Sequence, residues 1–142
     1  STLETAGIRS QKYIPDEANL GTPENDYALM RYSDALLMKA EAILRGGTGT
    51  NDIAKFEQLV SRTNVSGTIP TTLEAIYTER GKELWYEGWR RNDMIRFGHF
   101  EDEYFPHYKG FPGANFDKTH RIFPIQKKDF DVNPRWKQNA GY

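Results

Sequence analysis

Three glutamates recur at four-residue intervals in the middle of the chain and are its clearest candidates for chemistry. On a helix, Glu79, Glu83 and Glu87 would share one face and lie about 6 Å apart along the axis. Glycosidases use two carboxylates about 5–10 Å apart, so this spacing raises the hypothesis of glycoside hydrolysis. A glycosidase also places its carboxylates on opposite sides of the scissile bond, which one helix face cannot do alone.

The same spacing is typical of a structural ion-pair network, and this is the interpretation we favour. Carboxylates four residues apart on a helix repel each other unless cations lie among them. Arg91 is within helical reach of these carboxylates, and Arg62 could approach them from a neighbouring helix. We therefore predict no catalytic residue and no enzymatic activity. The residues predicted to form the network are Arg31, Glu79, Arg80, Glu83, Glu87, Arg90, Asp93 and Arg96.

Aromatic residues are the second set with a possible role, because an aromatic face can stack on the apolar face of a sugar ring. Trp85 and Trp89 lie four residues apart beside Leu84 and Met94, so we interpret both tryptophans as core. Aromatic residues in a loop rich in Pro and Gly are poorly explained by core packing alone. The candidate ligand-binding residues are therefore Tyr104, His107, Tyr108, Phe111 and Phe116.

The sequence predicts neither a metal nor a cofactor. His99, His107 and His120 share no metal-ligand spacing, and the chain contains no cysteine. The glycine-rich segment 46–50 lacks the lysine of a phosphate-binding loop and follows a helical pattern, so we interpret it as a turn.

Composition and charge restrict the class of protein. The chain has 142 residues and a formal net charge of −1, which argues against a nucleic-acid partner. Its mean hydropathy of −0.77 is low. It nevertheless has 3 Trp, 8 Tyr and 8 Phe, so it can build a core. The chain has no apolar run of membrane-spanning length, and we expect any targeting segment to lie upstream of Ser1.

Hydrophobic periodicity predicts two helices in the first half of the chain. The first starts near Arg31 and ends at Gly46, because a glycine commonly terminates a helix. Asn51 or Asp52 can cap the second helix, which would turn Ile53 inward with the other apolar side chains. The short link between the two helices predicts antiparallel packing.

Two further helices are predicted after Pro70. Thr71 and Glu74 have the spacing of a capping box, and the apolar stripe that follows continues to Gly88. Residues 89–97 form the next helical pattern, which ends at Gly98. We predict an all-α fold of antiparallel, tetratricopeptide-like helical pairs with long irregular loops. The chain would be one domain, with an irregular lead-in at 1–26, a helical core at 27–100, and a loop and irregular tail at 101–142.

Three segments in order resemble the C-terminal region of the SusD/RagB family of outer-membrane nutrient-binding lipoproteins. They are RYSDALLMKAEA at Arg31–Ala42, TLEAIYTERGKELWYEGWRRNDMIRFG at Thr72–Gly98, and FPIQKKDFDVNPRWKQNAGY at Phe123–Tyr142. Gln126 and Ala140 stand where the family pattern has prolines. The matched motifs are interpreted as structural, so no ligand-binding residue is carried over from the family.

The resemblance implies a function without catalysis. It implies binding of glycans or other nutrients at the outer face of the outer membrane, and delivery to a TonB-dependent, SusC-like transporter. Lipid anchoring would use a cysteine upstream of Ser1, and the missing N-terminal portion of the same protein would be a further partner. Two alternatives remain open, a helical docking module without its own ligand and a glycoside hydrolase that uses the three glutamates.

Overall fold

The described part of the chain is helical. The computed structural model describes residues 12–13, 16–19, 21–62, 67–102 and 116–142, and no β-strand occurs among them. The all-α prediction is confirmed. The helices are α1 (Tyr32–Leu44), α2 (Ile53–Ser61), α3 (Leu73–Glu83), α4 (Arg90–Phe97), a 3₁₀ helix at Lys118–Arg121, and α5 (Lys127–Val132). None of these helices has both the length and the apolar character needed to cross a lipid bilayer.

In the described part of the chain, two apolar clusters hold α1 to α4 together. In the first, Leu37 and Ala40 of α1 pack with Phe56 of α2 and Ile76 of α3, and all four are buried. The second joins Tyr77 of α3 to buried side chains of α4 and the turn that follows it. Helix α3 therefore lies between α1 and α4, and it contacts both of them.

The first two helices largely match their predicted bounds. Arg31 is the N-cap of α1, and Gly46 follows the helix at a φ of +99°. In α2 the Asp52 carboxylate accepts a hydrogen bond from the Lys55 backbone N–H, as the sequence predicts. The inward orientation predicted for Ile53 is wrong, because this first helical residue is exposed and the α2 contact with the core is made by Phe56.

Helix α3 differs from its prediction at both ends. Its N-cap is Thr72 and not Thr71, because the Thr72 hydroxyl accepts from the Ala75 N–H at 3.1 Å. The helix ends at Glu83, and residues 84–88 form a turn in which Tyr86 has a φ of +65°. The side chains of residues 85–88 therefore do not continue the helical stripe that the sequence predicts up to Gly88.

The C-terminal tail is more ordered than predicted. Within the irregular tail, the structure contains the 3₁₀ helix and α5, two short elements that the sequence interpretation did not include. The Gln138 side chain bonds to both the N–H and the carbonyl of Ile125. Asn139 donates to the Phe123 carbonyl, and the Tyr142 hydroxyl donates to the Ile122 carbonyl. The closing Gln-Asn-x-Gly-Tyr motif thus fixes the segment 122–125.

Candidate functional site

A buried network of alternating charges connects α1, α3 and α4, and we call it the inner network. At its centre, the Arg80 guanidinium is 2% exposed and donates to Asp34 at 2.7 Å and to Asp93 at 2.9 Å. Arg96 donates to Asp93 at 3.1 Å and to both carboxylate oxygens of Glu41. Arg45 completes the inner network by donating to Glu41 at 2.8 Å.

A second network lies nearer the surface, and we call it the outer network. Arg31 donates to Glu83 at 2.9 Å and to Glu87 at 2.9 Å, so it bridges the end of α3 and the turn that follows. Arg62 also donates to Glu83, at 2.8 Å, and Lys12 forms an ion pair with Glu87. Both glutamates are thus held between two cations.

The cations keep the outer-network glutamates ionised. Burial by itself raises the pKa of Glu83 and of Glu87, because it disfavours their charged forms. Hydrogen bonds from Arg31 act against burial at both carboxylates, and the resulting pKa of each is below its ordinary value. The general acid of a glycosidase needs the opposite, a raised pKa, so this environment is typical of a structural ion pair.

Two residues of the predicted ion-pair set lie outside both networks. Glu79 contacts Lys82 at 3.9 Å on the surface. Arg90 donates to the Tyr77 carbonyl, and its guanidinium lies 3.8 Å from the centre of the Tyr77 ring. Because of these contacts, neither residue links one helix to another through an acid–arginine pair.

The inner network contains two acids that the sequence interpretation missed. Asp34 and Glu41 both lie on the buried face of α1, which also includes Leu37. A buried acid must pair with a cation or be neutralised. The positions of these two acids within an apolar helix stripe could therefore have predicted their ion pairs from the sequence.

The core interpretation of Trp85 is wrong. Its side chain is 58% exposed and that of Tyr86 is 67% exposed, whereas Trp89 is partly buried. Trp85 and Tyr86 meet edge to face, with ring centroids 5.5 Å apart. Because α3 ends at Glu83, Trp85 leaves the helical stripe that would have placed it in the core.

This aromatic pair lines an open groove of about 880 Å³, which we call the aromatic groove. Its lining also includes Leu84 and the glycines at 81 and 88. Aromatic rings, a hydroxyl and cations around one concave surface are suited to binding a polar ligand that also has apolar faces. The lining side chains that supply the rings, the hydroxyl and the cations are Thr78, Lys82, Trp85, Tyr86, Arg90 and Arg91.

The structure describes one of the five predicted ligand-binding residues, Phe116. Phe116 stacks on Phe100 with ring centroids 5.0 Å apart, and both line a smaller cavity of about 400 Å³ beside α4. The other four candidates lie outside the described residues, and their binding role stays a prediction. These four are Tyr104, His107, Tyr108 and Phe111.

No group of three or more potential metal ligands occurs among the residues that the structure describes. His99 lies between Asp102 at 2.6 Å and Glu74 at 2.9 Å, and its ring stacks on Tyr77. The Asp102 hydrogen bond is the main cause of the raised pKa of His99, and Glu74 adds to it against the opposing effect of burial. The arrangement favours a charged imidazolium that links α3 to the turn after α4.

Comparison with known proteins gives consistent matches. The model of the SusD family matches residues 3–142. The chain is 35% identical to the starch-binding protein SusD of Bacteroides thetaiotaomicron over 84% of its own length. It is also 28% identical to a SusD-like protein, P38, of Formosa agariphila over 95% of its length. The structure is similar to that of surface glycan-binding protein A from Bacteroides thetaiotaomicron, with a TM-score of 0.71 and 28% identity over 84% of the chain.

The chain spans only a minor part of each of these proteins. It covers 22% of the starch-binding protein SusD, 28% of the SusD-like protein P38 and 26% of the glycan-binding protein of known structure. The activities of those whole proteins therefore bear on this chain only as proposals.

Proposed function

The chain belongs to the SusD family, and from this membership we propose that it takes part in non-catalytic glycan binding at the outer-membrane surface. Two relatives are named for binding, one for binding starch and one for binding glycans. The observation that carries the proposal for this chain is the exposed Trp85–Tyr86 pair beside the aromatic groove. A sugar ring has an apolar face that suits such a pair and hydroxyls that suit the polar lining.

The turn that carries the pair is held in place from the other side. Glu83 and Glu87 flank it in the chain, and both are fixed by Arg31. The positive φ of Tyr86 is unusual for a residue other than glycine, and it persists only where the surroundings determine the backbone. A preformed aromatic surface loses little conformational freedom when a ligand binds.

The charge networks support a function without catalysis. The carboxylates of Glu83 and Glu87 each accept hydrogen bonds from an arginine. Their lowered pKa values keep them ionised, so neither has the protonated form that a general acid requires at neutral pH. These residues act as braces for the aromatic turn.

Delivery to a TonB-dependent, SusC-like transporter is the finer part of the proposal. Family membership supports this partner, and it supports a location at the outer face of the outer membrane with lipid anchoring through a cysteine upstream of the chain. Co-purification of the transporter with the tagged full-length protein from outer membranes would test the partnership. Recovery of the protein without any transporter would contradict it.

Isothermal titration against a glycan panel tests the binding proposal. We expect heat of binding for at least one oligosaccharide, and about a tenfold or greater loss of affinity in Trp85→Ala, since buried aromatic contacts dominate many binding energies. Val132→Ala is a matched control at an exposed apolar residue outside the groove. Absence of heat with every glycan would contradict the proposal.

A turnover assay tests the absence of catalysis. We expect no hydrolysis of chromogenic glycosides by the chain. Hydrolysis that disappears in Glu83→Gln would instead establish a glycosidase and overturn the structural role of this carboxylate.

A second candidate function is docking without a ligand, and one observation favours it. The segment before α1 exposes Leu29 at 74%, and its neighbours Tyr27 and Met30 are also exposed. Apolar side chains exposed so close together are typical of protein–protein contacts. Titration separates the two functions, because a docking module gives no heat with any glycan.

A further inference from the structure

We infer that the aromatic groove is built for an acidic oligosaccharide, one whose sugar rings carry carboxylates. The inference rests on the proposed glycan-binding function and names the class of glycan. It comes from the charges that line the groove. Three cations, Lys82, Arg90 and Arg91, border it, and no Asp or Glu is among the described residues of its lining.

The turn separates positive from negative charge. Glu83 and Glu87 occur within the same short stretch as Trp85 and Tyr86, yet both carboxylates face Arg31 and not the groove. Their negative charge is therefore matched in the outer network. The groove side keeps its cations, so a carboxylate arriving there meets a positive surface.

The two arginines are held in position without acidic partners in the described part of the chain. Arg90 donates to the Tyr77 carbonyl at 3.0 Å, and Arg91 donates to the carbonyls of His120 at 2.6 Å and Arg121 at 3.2 Å. A guanidinium has five N–H donors. The carbonyl bonds use Nη1 of Arg90 and Nη2 of Arg91, so the other nitrogens of each guanidinium are left for a ligand. Its planar donor pairs match the two oxygens of a carboxylate.

A glycine in α3 gives one of these arginines its place. A Cβ atom at Gly81 would lie 2.7 Å from Nη1 of Arg90, so the guanidinium rests against the helix where a side chain is missing. Glycine inside a helix is unfavourable, which makes a close-packing role the physical reason for its presence. Lys82, the third cation, follows directly and is mostly exposed, with a 3.9 Å contact to Glu79.

Calorimetric titration with matched sugars tests the inference. The probes are a short galacturonate oligomer and a neutral maltooligosaccharide of the same length. We expect the galacturonate to bind about tenfold more tightly or better, as one charge-assisted hydrogen bond would give. Raising NaCl from about 0.1 M to about 1 M should weaken galacturonate binding and leave the neutral sugar unchanged, because the Debye length falls from about 10 Å to about 3 Å.

Two variants locate the binding site. Lys82→Gln should weaken galacturonate binding by about two- to fivefold, as expected for an exposed charge. Lys39→Gln, at an exposed lysine of α1 away from the groove, is the matched control and should change nothing. Gly81→Ala should displace the Arg90 guanidinium without unfolding the chain, since only the end of a flexible side chain must move. It should reduce galacturonate affinity selectively.

The possible outcomes distinguish the preference for acidic glycans from the glycan-binding function on which it rests. Equal affinity for both sugars without a salt effect would overturn the acidic preference and leave glycan binding intact. Binding of a sulfated oligomer but not of galacturonate would overturn the choice of carboxylate. Equal effects of Lys82→Gln and Lys39→Gln would remove the site from the groove, and no binding of any sugar would overturn the proposed function itself.

Discussion

Arg80 is the largest of the almost fully buried side chains in the described part of the chain. Its guanidinium is 2% exposed and lies between the carboxylates of Asp34 and Asp93, each almost fully buried. A buried ion pair is not strongly stabilising in itself, because desolvation offsets much of the attraction. Removing one partner, however, leaves an uncompensated charge in the interior.

We predict that Arg80→Met destabilises the chain by about 3–5 kcal/mol, because it leaves Asp34 and Asp93 without their shared cation. Urea denaturation followed by circular dichroism would measure the change. Arg62→Met is the matched control, since Arg62 has a side chain that is 52% exposed and its loss should cost about 0–1 kcal/mol. Equal losses in the two variants would show that the inner network does not brace the fold.

At the residue scale, the sequence predicts that acids and arginines form pairs, but it does not predict which pairs form. The spacing of Glu83, Glu87 and Asp93 on their own segments is visible in the sequence. Apart from Arg96, which lies three residues after Asp93, their cations come from distant positions, as Arg31 does, and pairing at that range depends on how the helices pack. Periodicity describes one helix and contains no information about the rotation of its neighbour.

At the element scale, the start of α3 depends on a single hydroxyl. The Thr72 side chain accepts from the Ala75 N–H, which otherwise has no partner at the helix start. We predict that Thr72→Ala destabilises the chain by about 0.5–2 kcal/mol. Thr71→Ala should cost less than about 0.5 kcal/mol, as is usual for a surface residue without such a role. Thermal unfolding of both variants would decide, and a larger loss in Thr71→Ala would restore the cap predicted from the sequence.

The end of α3 shows why the exposed aromatic pair could not be predicted. The apolar stripe continues past Glu83 into Leu84, which is buried as a continuing helix would require. The turn begins at that residue, and Tyr86 then takes a left-handed backbone conformation that the sequence does not announce. The start of α2 and the end of α4 at Gly98 are predictable, because Asp52 and Gly98 are strong local signals.

The link from α3 to the turn after α4 should depend on pH through His99. Its pKa is raised by the hydrogen bond to Asp102, and also by Glu74, although partial burial opposes both. A raised folded-state pKa means that the stabilisation is complete below the unfolded value of about 6.5 and is lost as pH rises through the folded value. We predict that the melting temperature falls as the pH rises above about 6.5.

A calorimetric series from about pH 6 to about pH 9 would measure this effect, because the carboxylates stay ionised across that range. His99→Gln keeps a polar side chain but cannot titrate, so its stability should be flatter with pH. A melting temperature of the unsubstituted chain that rises over the same range would contradict the sign of the prediction.

At the scale of the whole molecule, the described surface is rich in exposed apolar side chains. Leu29 and Met30 precede α1, and the tail adds Phe123, Val132 and Trp136. Contiguous apolar patches are rare on proteins that stay monomeric, and Leu29 and Met30 are adjacent in the chain and both more than half exposed. The helical core buries Leu37, Phe56 and Ile76 but leaves these other apolar side chains exposed.

We therefore predict that the chain self-associates as its concentration rises. Sedimentation velocity should show a sedimentation coefficient that increases with concentration, because burial of exposed apolar surface favours association by about 25 cal/mol per Å² before the entropic cost of association. Leu29→Ser together with Met30→Ser should weaken association and leave the free energy of unfolding nearly unchanged, since both side chains are already exposed. A chain that stays monomeric at every concentration would contradict the prediction.

If Trp85 is part of the contact, saturating glycan should also lower the degree of association, because ligand and partner would compete for the same aromatic face. Unchanged association in the presence of glycan would assign the contact to the segment before α1 and to the tail, and would leave the aromatic groove free.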